Sequence, residues 1–467
     1  MSGGVLAGDR RWLTFGLIGL VTAVAFEGLA VSTVMPRTAG DLDGLGLYGW
    51  AFSAFWLTNI LGITLAGGDA DRHGPKRAFM AGVVVFAAGL VIATLAVNMP
   101  MLIVARGVQG FGSGAIGAVV YVVIARAYPA RLHPRMLAIM SSAWVVPGLV
   151  GPAVAAGVAE ALNWRWVFGG LTVPVVVLGL VALRPIAGLR PVADHAGDHG
   201  SRAWAALRLA AGSLLFLTGL TVPLLPLGMP MIAGGAVLSA LALAHLLPAG
   251  AMRLRPGAAA VPLIVFGTAF AFFGAEAYIP LAITNVRFGT LAAGALAISA
   301  ATITWTSGSW LQARLAPRGW RRGLVGIGDL LIAAGIGITA LVLLPGLPLP
   351  AAAVGWAVGG LGMGLAYTTL TLLTLETAEE GREGSASAAL QLTFTLGTVY
   401  GTGIGGAWVA LADAGTLELG PSIGIVFGIT AVIALVAALA SRRLASSAPR
   451  TAPHATEPID AVAPPAR

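Results

Sequence analysis

The sequence predicts an all-α integral membrane protein with fourteen transmembrane helices. Three observations carry this: a shortage of charge, a succession of apolar stretches of spanning length, and an alternation in the charge of the segments between them. Of 467 residues, 57% are hydrophobic and 10% charged, and mean hydropathy is +0.89. A soluble protein carries about 25% charged residues, so this chain cannot coat a water-facing surface and most of it is solvated by a lipid bilayer. The net charge of +8 is spread from loop to loop rather than gathered on one face, which argues against nucleic acid as a partner. Cysteine is absent, which excludes disulfides and thiolate metal sites.

A helix needs about 20 apolar residues to cross the hydrocarbon core. Stretches of that length begin near Trp12, Leu47, Ala78, Met101, Arg135, Trp164, Trp204, Gly228, Ala258, Gly289, Arg322, Pro350, Ser385 and Ser422. Gly, Pro or charge stands at the breaks, as helix ends require. The first run, about 25 residues long, exceeds a signal-peptide core and no small-residue cleavage site follows, so it reads as a retained span. Cytoplasmic segments of membrane proteins are enriched in Lys and Arg. With the N-terminus inside, 23 of the 27 Lys and Arg fall in inner segments; the outer loops hold Arg37, Arg165 and Arg287, and Arg106 lies within a span. A miscount by one helix would invert the bias downstream. It holds to the end, so the count is even and both termini are expected on the cytoplasmic side of a cell membrane.

The chain also repeats itself. Gly107-Val108-Gln109-Gly110-Phe111-Gly112-Ser113-Gly114 recurs, at an offset of 250, as Ala357-Val358-Gly359-Gly360-Leu361-Gly362-Met363-Gly364, and Gly151 meets Gly401 at the same offset. Pro36 and Pro280 are expected to close the first helix of each half. The reading is two pseudo-symmetric six-helix bundles with a two-helix insert between them. The divisions are a cytoplasmic N-terminus (1–11), a first bundle (12–185), a cytoplasmic loop (186–203), the insert (204–250), a second bundle (257–441) and a disordered tail (442–467). Repeats of this kind place the binding site at the interface of the bundles near the midplane. The loop pairs Asp194-His195 and Asp198-His199 read as solvated rather than as a metal site; no metal or other cofactor is expected.

One short stretch is far more charged than its surroundings: Gly67-Gly68-Asp69-Ala70-Asp71-Arg72-His73-Gly74-Pro75-Lys76-Arg77. Its glycines allow two helix ends to approach closely, Pro75 stops a helix, and Asp71 stands beside Arg72, Lys76 and Arg77. As a bare turn it sets topology; its order suggests a further role. The stretch resembles the loop between helices 2 and 3 of the major facilitator superfamily, Gly-x-x-x-Asp-Arg-x-Gly-Arg-Lys, matching at Gly67, Asp71, Arg72, Gly74 and Lys76. Arg106-Gly107-Val108-Gln109-Gly110 is similar to the Arg-x-x-Gln-Gly of helix 4. Asn163-Trp164-Arg165-Trp166-Val167-Phe168 is similar to the opening of helix 6 in the fourteen-span drug:proton antiporters of that superfamily. The resemblance covers all but the termini and implies the major facilitator fold. It implies too that Gly67, Asp71, Arg72, Gly74, Lys76 and Arg77 form a cytoplasmic gate. There Asp71 would cap the start of span 13, near Gly384, Ser385 and Ser387, a favourable place for a carboxylate.

Ionisable groups inside a span are costly, on the order of 2.5–3.5 kcal/mol at its centre, so those that remain are the first functional candidates. Glu27 lies about 14 residues into the first span, about 20 Å deep at 1.5 Å per residue, among Ala25, Phe26, Gly28 and Leu29. A carboxyl there can take a proton on one side of the membrane and release it on the other. The alternative is a structural carboxyl paired with a neighbouring helix. Arg106 cannot deprotonate, so it must find an acceptor, with Glu27 the natural one, or snorkel outward. The family resemblance implicates this arginine in proton coupling. Glu276 in span 9 is the second-half carboxyl, placed near the outer surface where water can reach it. Asp329 is expected to pair with the inner arginines, and Glu160 to be solvated. Gln109 and the mid-span aromatics Phe55, Trp56, Tyr121, Trp144, Phe272, Phe273 and Tyr367 are candidates to line an apolar substrate cavity, with packing as the alternative. Pro147, Gly148, Gly151 and Pro152 form a kinked, close-packing hinge in span 5. Only Gly151-Pro152 keeps the register of the family's antiporter motif.

The expectation is therefore a monomeric secondary transporter working by alternating access, with small molecules and protons as its partners. Multidrug efflux of apolar or cationic organic compounds is favoured. A lipid or metabolite exporter and a proton symporter are the alternatives. No phosphate-binding loop points to ATP. An enzyme would need clustered catalytic groups at one membrane depth, and none is found; a sensor would need an appended soluble domain, and none is expected.

Overall fold

The computed structural model describes residue 5 and residues 10–189, 199–222, 225–248, 250–316, 320–378 and 383–444. Among the described residues twelve helical stretches are long and apolar enough to cross a membrane. The first bundle runs α1 (Arg10–Asp41), α2 (Tyr48–His73), α3 (Pro75–Thr94), α4 (Met99–Ala127), α5 (His133–Ser142), α6 (Val145–Ala161) and α7 (Arg165–Ile186). The insert is α8 (His199–Thr221) and α9 (Leu225–Leu246). The second bundle runs α10 (Val261–Glu276), α11 (Ile279–Leu281), α12 (Leu291–Leu315), α13 (Arg321–Ala340), α14 (Pro350–Thr377), α15 (Glu383–Asp413) and α16 (Leu419–Ala440). The broken pair α5–α6 and the long α15 complete fourteen spanning units.

The breaks follow from proline chemistry. Proline has no N–H to bond the carbonyl four residues back, and the fifth span is interrupted at Ala143–Trp144, one turn before Pro147. In the ninth span the helix breaks at Ala277–Tyr278, so that Pro280 falls in the first turn of α11, followed by a π-helical turn, Ala282–Val286. Pro36 behaves differently from expectation: α1 runs through it to Asp41, and Leu42 N still bonds Thr38 O at 3.1 Å. One proline removes one rung, which the following rungs outlast. The loop pairs Asp194-His195 and Asp198 lie outside the described residues, as does the tail from 445; His199 already belongs to α8.

Lipid offers helices no hydrophobic reason to associate, so close backbone approach must supply the packing. The repeated glycines do this in register. A Cβ on Gly110 of α4 would stand 2.0 Å from Phe55 O of α2, and one on Gly360 of α14 would stand 2.2 Å from Ala301 O of α12. The two bundles therefore reuse one helix crossing, as the 250-residue offset requires.

The insert does not stand apart. Apolar side chains of α8 and α9 pack on Ile60 of α2 and Leu396 of α15 in one cluster and, with α8 alone, on Leu57 and Val399 in another. It thus lies across the seam between the bundles. Its polar attachment is to α15: Tyr400 Oη donates to Ser239 Oγ at 3.1 Å and lies 3.1 Å from Ser213 Oγ.

The bundles meet closely at the end remote from the arginine-rich loops. Gly49 of α2 abuts Gly406 of α15. Ser53 Oγ donates to Val399 O at 3.2 Å and lies 3.0 Å from Thr402 Oγ1. Tyr48 Oη donates to Ala277 O at 2.9 Å, and the Tyr278 hydroxyl donates to Thr402 O. A second seam, α6 on α12, closes at Gly148, where a Cβ would stand 2.1 Å from Thr302 Cγ2.

Candidate functional site

The core of the candidate site is an ion pair inside the first bundle. Glu27, just past the middle of α1, is 1% exposed, and Arg106 of α4 is 2% exposed. Arg106 Nη1 donates to Glu27 Oε1 and, at 2.6 Å, to Gln109 Oε1 one turn along α4. Arg106 Nε donates to Ala51 O of α2 at 3.0 Å, and the guanidinium carbon lies 4.4 Å from the Phe55 ring centre. Carbonyl, amide, carboxylate and aromatic face together hold a cation that lipid would reject. Arg106 therefore does not snorkel. Glu27 points into its own bundle toward α4, away from acyl chains.

Two residues expected to line a substrate cavity are buried against Arg106. Gln109 is 0% exposed and Phe55 3% exposed, because both are taken up by Arg106. Trp56 packs edge-on against Phe55, with ring centres 5.3 Å apart. Tyr121 is 62% exposed and Trp144, at the α5–α6 break, 47%. Phe273 and Tyr367 both pack against Phe394, with ring centres 5.3 and 4.8 Å away, and Trp305 and Phe272 extend the cluster. Trp305 and Phe394 were missed in the sequence; they join the cluster from α12 and α15, and no local pattern connects them.

In the second bundle an indole takes the place of the guanidinium. Glu276 is 7% exposed and accepts from Trp356 Nε1 at 3.1 Å; Trp356 holds the position that Arg106 holds in the first bundle. Glu276 is thus buried rather than hydrated near the surface, since α14 covers it. Asp329 also departs from expectation. It is 0% exposed and takes Thr268 Oγ1 of α10 as its donor at 2.8 Å in place of the inner arginines. Its position on α13 turns it into the bundle, out of their reach. Thr268→Val would remove that donor, and leaving a buried acceptor unmet costs about 1–3 kcal/mol. We expect a lower thermal unfolding midpoint for this variant in detergent.

The charged hairpin is rearranged relative to its sequence neighbours. Arg126 Nη2 of α4 donates to Asp71 Oδ1 at 3.0 Å, and Asp69 takes His73 at 2.9 Å and Arg77 at 3.7 Å. Arg72 and Lys76 are exposed. Asp71 is bonded within its own bundle here; of the expected other end of the latch, the side chains at 384 and 385 lie outside those described, and Ser387 is exposed. Gly74 has φ +85°, a conformation other residues adopt with strain. Gly67 has no neighbour within 4 Å of a built Cβ, so it makes no close approach. In the fifth span Pro147, Gly148, Gly151 and Pro152 are all buried, with Gly148 against α12 and Gly151 against Phe26 of α1. In the opening of α7, Trp164 Nε1 donates to Asp41 Oδ2 at 2.9 Å and Arg165 Nη2 to Ala96 O at 2.9 Å, tying that helix start to the ends of α1 and α3.

Two repeated bundles of membrane-spanning helices, with buried ionisable groups in each and a seam between them, define a transporter fold. The chain belongs to the Major Facilitator Superfamily, whose model matches residues 12–402. It is 25% identical over 447 residues, 90% of this chain and 92% of the relative, to a probable multidrug-efflux transporter of Mycobacterium tuberculosis. A multidrug transporter protein of Bacillus subtilis is 30% identical over 172 residues, 37% of this chain and 32% of that one. Among solved structures, a bacterial homologue of the human lysosomal transporter Spinster, in an inward-facing and unoccupied conformation, aligns with a TM-score of 0.64. It shows 17% identity over 93% of this chain and 98% of that one. A POT family transporter in complex with 5-aminolevulinic acid aligns with a TM-score of 0.66 at 13% identity, over 94% of this chain and 98% of that one.

Proposed function

We propose that this protein exports apolar or cationic organic compounds across the cell membrane in exchange for protons. It would work as a monomer by alternating access, with both termini cytoplasmic. The observation that carries the reading is the Glu27–Arg106 pair, a carboxyl and a guanidinium held together inside the first bundle, with no other ion-pair partner for either among the described residues. A proton arriving on Glu27 cancels its charge and weakens its hold on α4, while Ala51 O and Gln109 keep Arg106 in place. Protonation thereby changes the packing of α1 against α4, and those helices belong to the bundle that must rock. The aromatic cluster around Phe273, Trp305, Tyr367 and Phe394 supplies apolar faces and cation–π partners on the opposite bundle. The proposed multidrug character is supported by the relatives named for multidrug efflux. In this state the bundles meet at their outer end, which fits a carrier loading from the cytoplasm.

The test is flux of tetraphenylphosphonium into proteoliposomes across an imposed pH gradient. Accumulation should follow the gradient and vanish with a protonophore. Flux that ignores the gradient would exclude proton coupling.

A further inference from the structure

Two polar atoms beside the ion pair have no partner. Arginine has donors only, so the Gln109 oxygen must be the atom that faces Arg106, and its amide nitrogen is turned away. Gln109 Nε2 and Glu27 Oε2 are both buried and unpaired. Their sister atoms, Gln109 Oε1 and Glu27 Oε1, are both bound to Arg106 Nη1. One unmet donor and one unmet acceptor therefore hang from a single guanidinium nitrogen. Buried polar groups are almost always satisfied, by protein or by an ordered molecule.

The group that satisfies both must accept from an amide and donate to a carboxylate. We infer that a single oxygen-centred group, a water molecule or the hydroxyl of a cargo molecule, bridges Gln109 Nε2 and Glu27 Oε2, with Gln109 as its positioning residue. Its role rests on the proton-coupled reading given above. A proton relayed to the bridging oxygen lets it pass one of its own to Glu27 Oε2: an O–H bond of the bridging group breaks, the Oε2–H bond forms, and the arriving proton restores a neutral oxygen that still accepts from Gln109. Glu27 is then a neutral acid and Arg106 an uncompensated cation still held by Ala51 O.

The second bundle shows why the feature belongs to the first. Gly359 stands where the repeat places Gln109, and the Trp356 ring lies 3.3 Å from where its Cβ would be. The amide is missing and indole occupies its space. The charged surroundings are simple as well. Among the described residues Arg106 is the one charged group bonded to Glu27. On the other helices packed around α1, charges sit at the ends: Asp69, Asp71 and Arg72 on α2, His133 and Arg135 on α5, Glu160 on α6, Arg165 and Arg184 on α7, and Arg314 on α12.

The experiment is Gln109→Met, which keeps length and removes the amide. Two readouts are taken: proton release on adding probe to purified protein in weak buffer, and the pH profile of proteoliposome flux. Tetraphenylphosphonium, which has no hydroxyl, is compared with a hydroxyl-bearing analogue. With a bridging water, proton release slows by about a hundredfold for both probes and their affinities hold. With a cargo hydroxyl, affinity falls for the hydroxylated probe alone. A folded variant with parental release, pH profile and affinities overturns the inference. If the variant does not fold, a high-resolution map of the parent decides: oxygen density between the two atoms supports the bridge, and its absence overturns it. A parent with neither proton release nor gradient-driven flux refutes the coupling reading instead, and the map still reports on the bridge.

Discussion

Glu27→Gln should uncouple transport without unfolding the protein. Glutamine fills the same volume and its oxygen can still accept from Arg106, so α1 and α4 stay joined; what is lost is the site where a proton can come and go. Gradient-driven flux of tetraphenylphosphonium should fall to that of protein-free vesicles. Counterflow, in which labelled and unlabelled probe exchange with no gradient, should persist. The stability cost is bounded. Removing one partner of a buried ion pair costs about 3–5 kcal/mol, but Ala51 O and Gln109 Oε1 remain as acceptors for Arg106, so a lowered unfolding midpoint and not aggregation is expected. Parental gradient-driven flux in this variant would remove Glu27 from the coupling step.

The second large effect is expected where the bundles meet, at the end remote from the arginine-rich loops. A Cβ on Gly49 would stand 2.6 Å from Gly406 Cα, 2.7 Å from Thr402 O and 2.8 Å from Tyr278 Oη. Two of these are backbone atoms of α15 and cannot swing aside. Gly49→Leu should therefore hold α2 off α15 and disfavour closure of that end. Overpacking costs about 1–3 kcal/mol, and each 1.4 kcal/mol is about tenfold in population, so occupancy of this conformation should fall by about five- to 140-fold. The checks are lost flux and faster labelling of a cysteine placed at Ser53, behind the contact. Gly117→Ala is the control, because nothing lies within 4 Å of a Cβ there. Equal labelling rates in Gly49→Leu and its parent would show that the contact does not gate access.

Most of the fold was legible because the signals that set it are local. Span length, basic loops and prolines act on the residues around them, and the 250-residue offset is visible in the glycines themselves. Glu27 and Arg106 were legible as a pair because two charges in a lipid-solvated core have few other partners. What was hidden depends on rotation about a helix axis. Asp329 was assigned to the nearby arginines by distance along α13, whereas its face of the helix points to Thr268. Asp71 was placed beside Arg72, Lys76 and Arg77 by sequence, and it bonds Arg126, a helix away. Phe55 and Gln109 read as cavity residues because apolar and amide side chains serve equally to line a cleft or to cradle an arginine. Only the packing of α2 against α4 decides between them.

The helical pair between the bundles gives the molecule a front and a back. Its serines are bonded to Tyr400 of α15, while Ala206, Leu209, Ala210 and Leu217 give α2 and α15 alike only apolar contact. Whichever half moves, these two helices would travel with α15 and slide along α2, as a sleeve does on a rod. One flank of the seam would then stay sheathed through the motion, whereas the other is closed by direct packing of α6 on α12 at Gly148 and Thr302. Molecules dissolved in the bilayer would meet a sliding wall on one side and a plain helix-to-helix joint on the other.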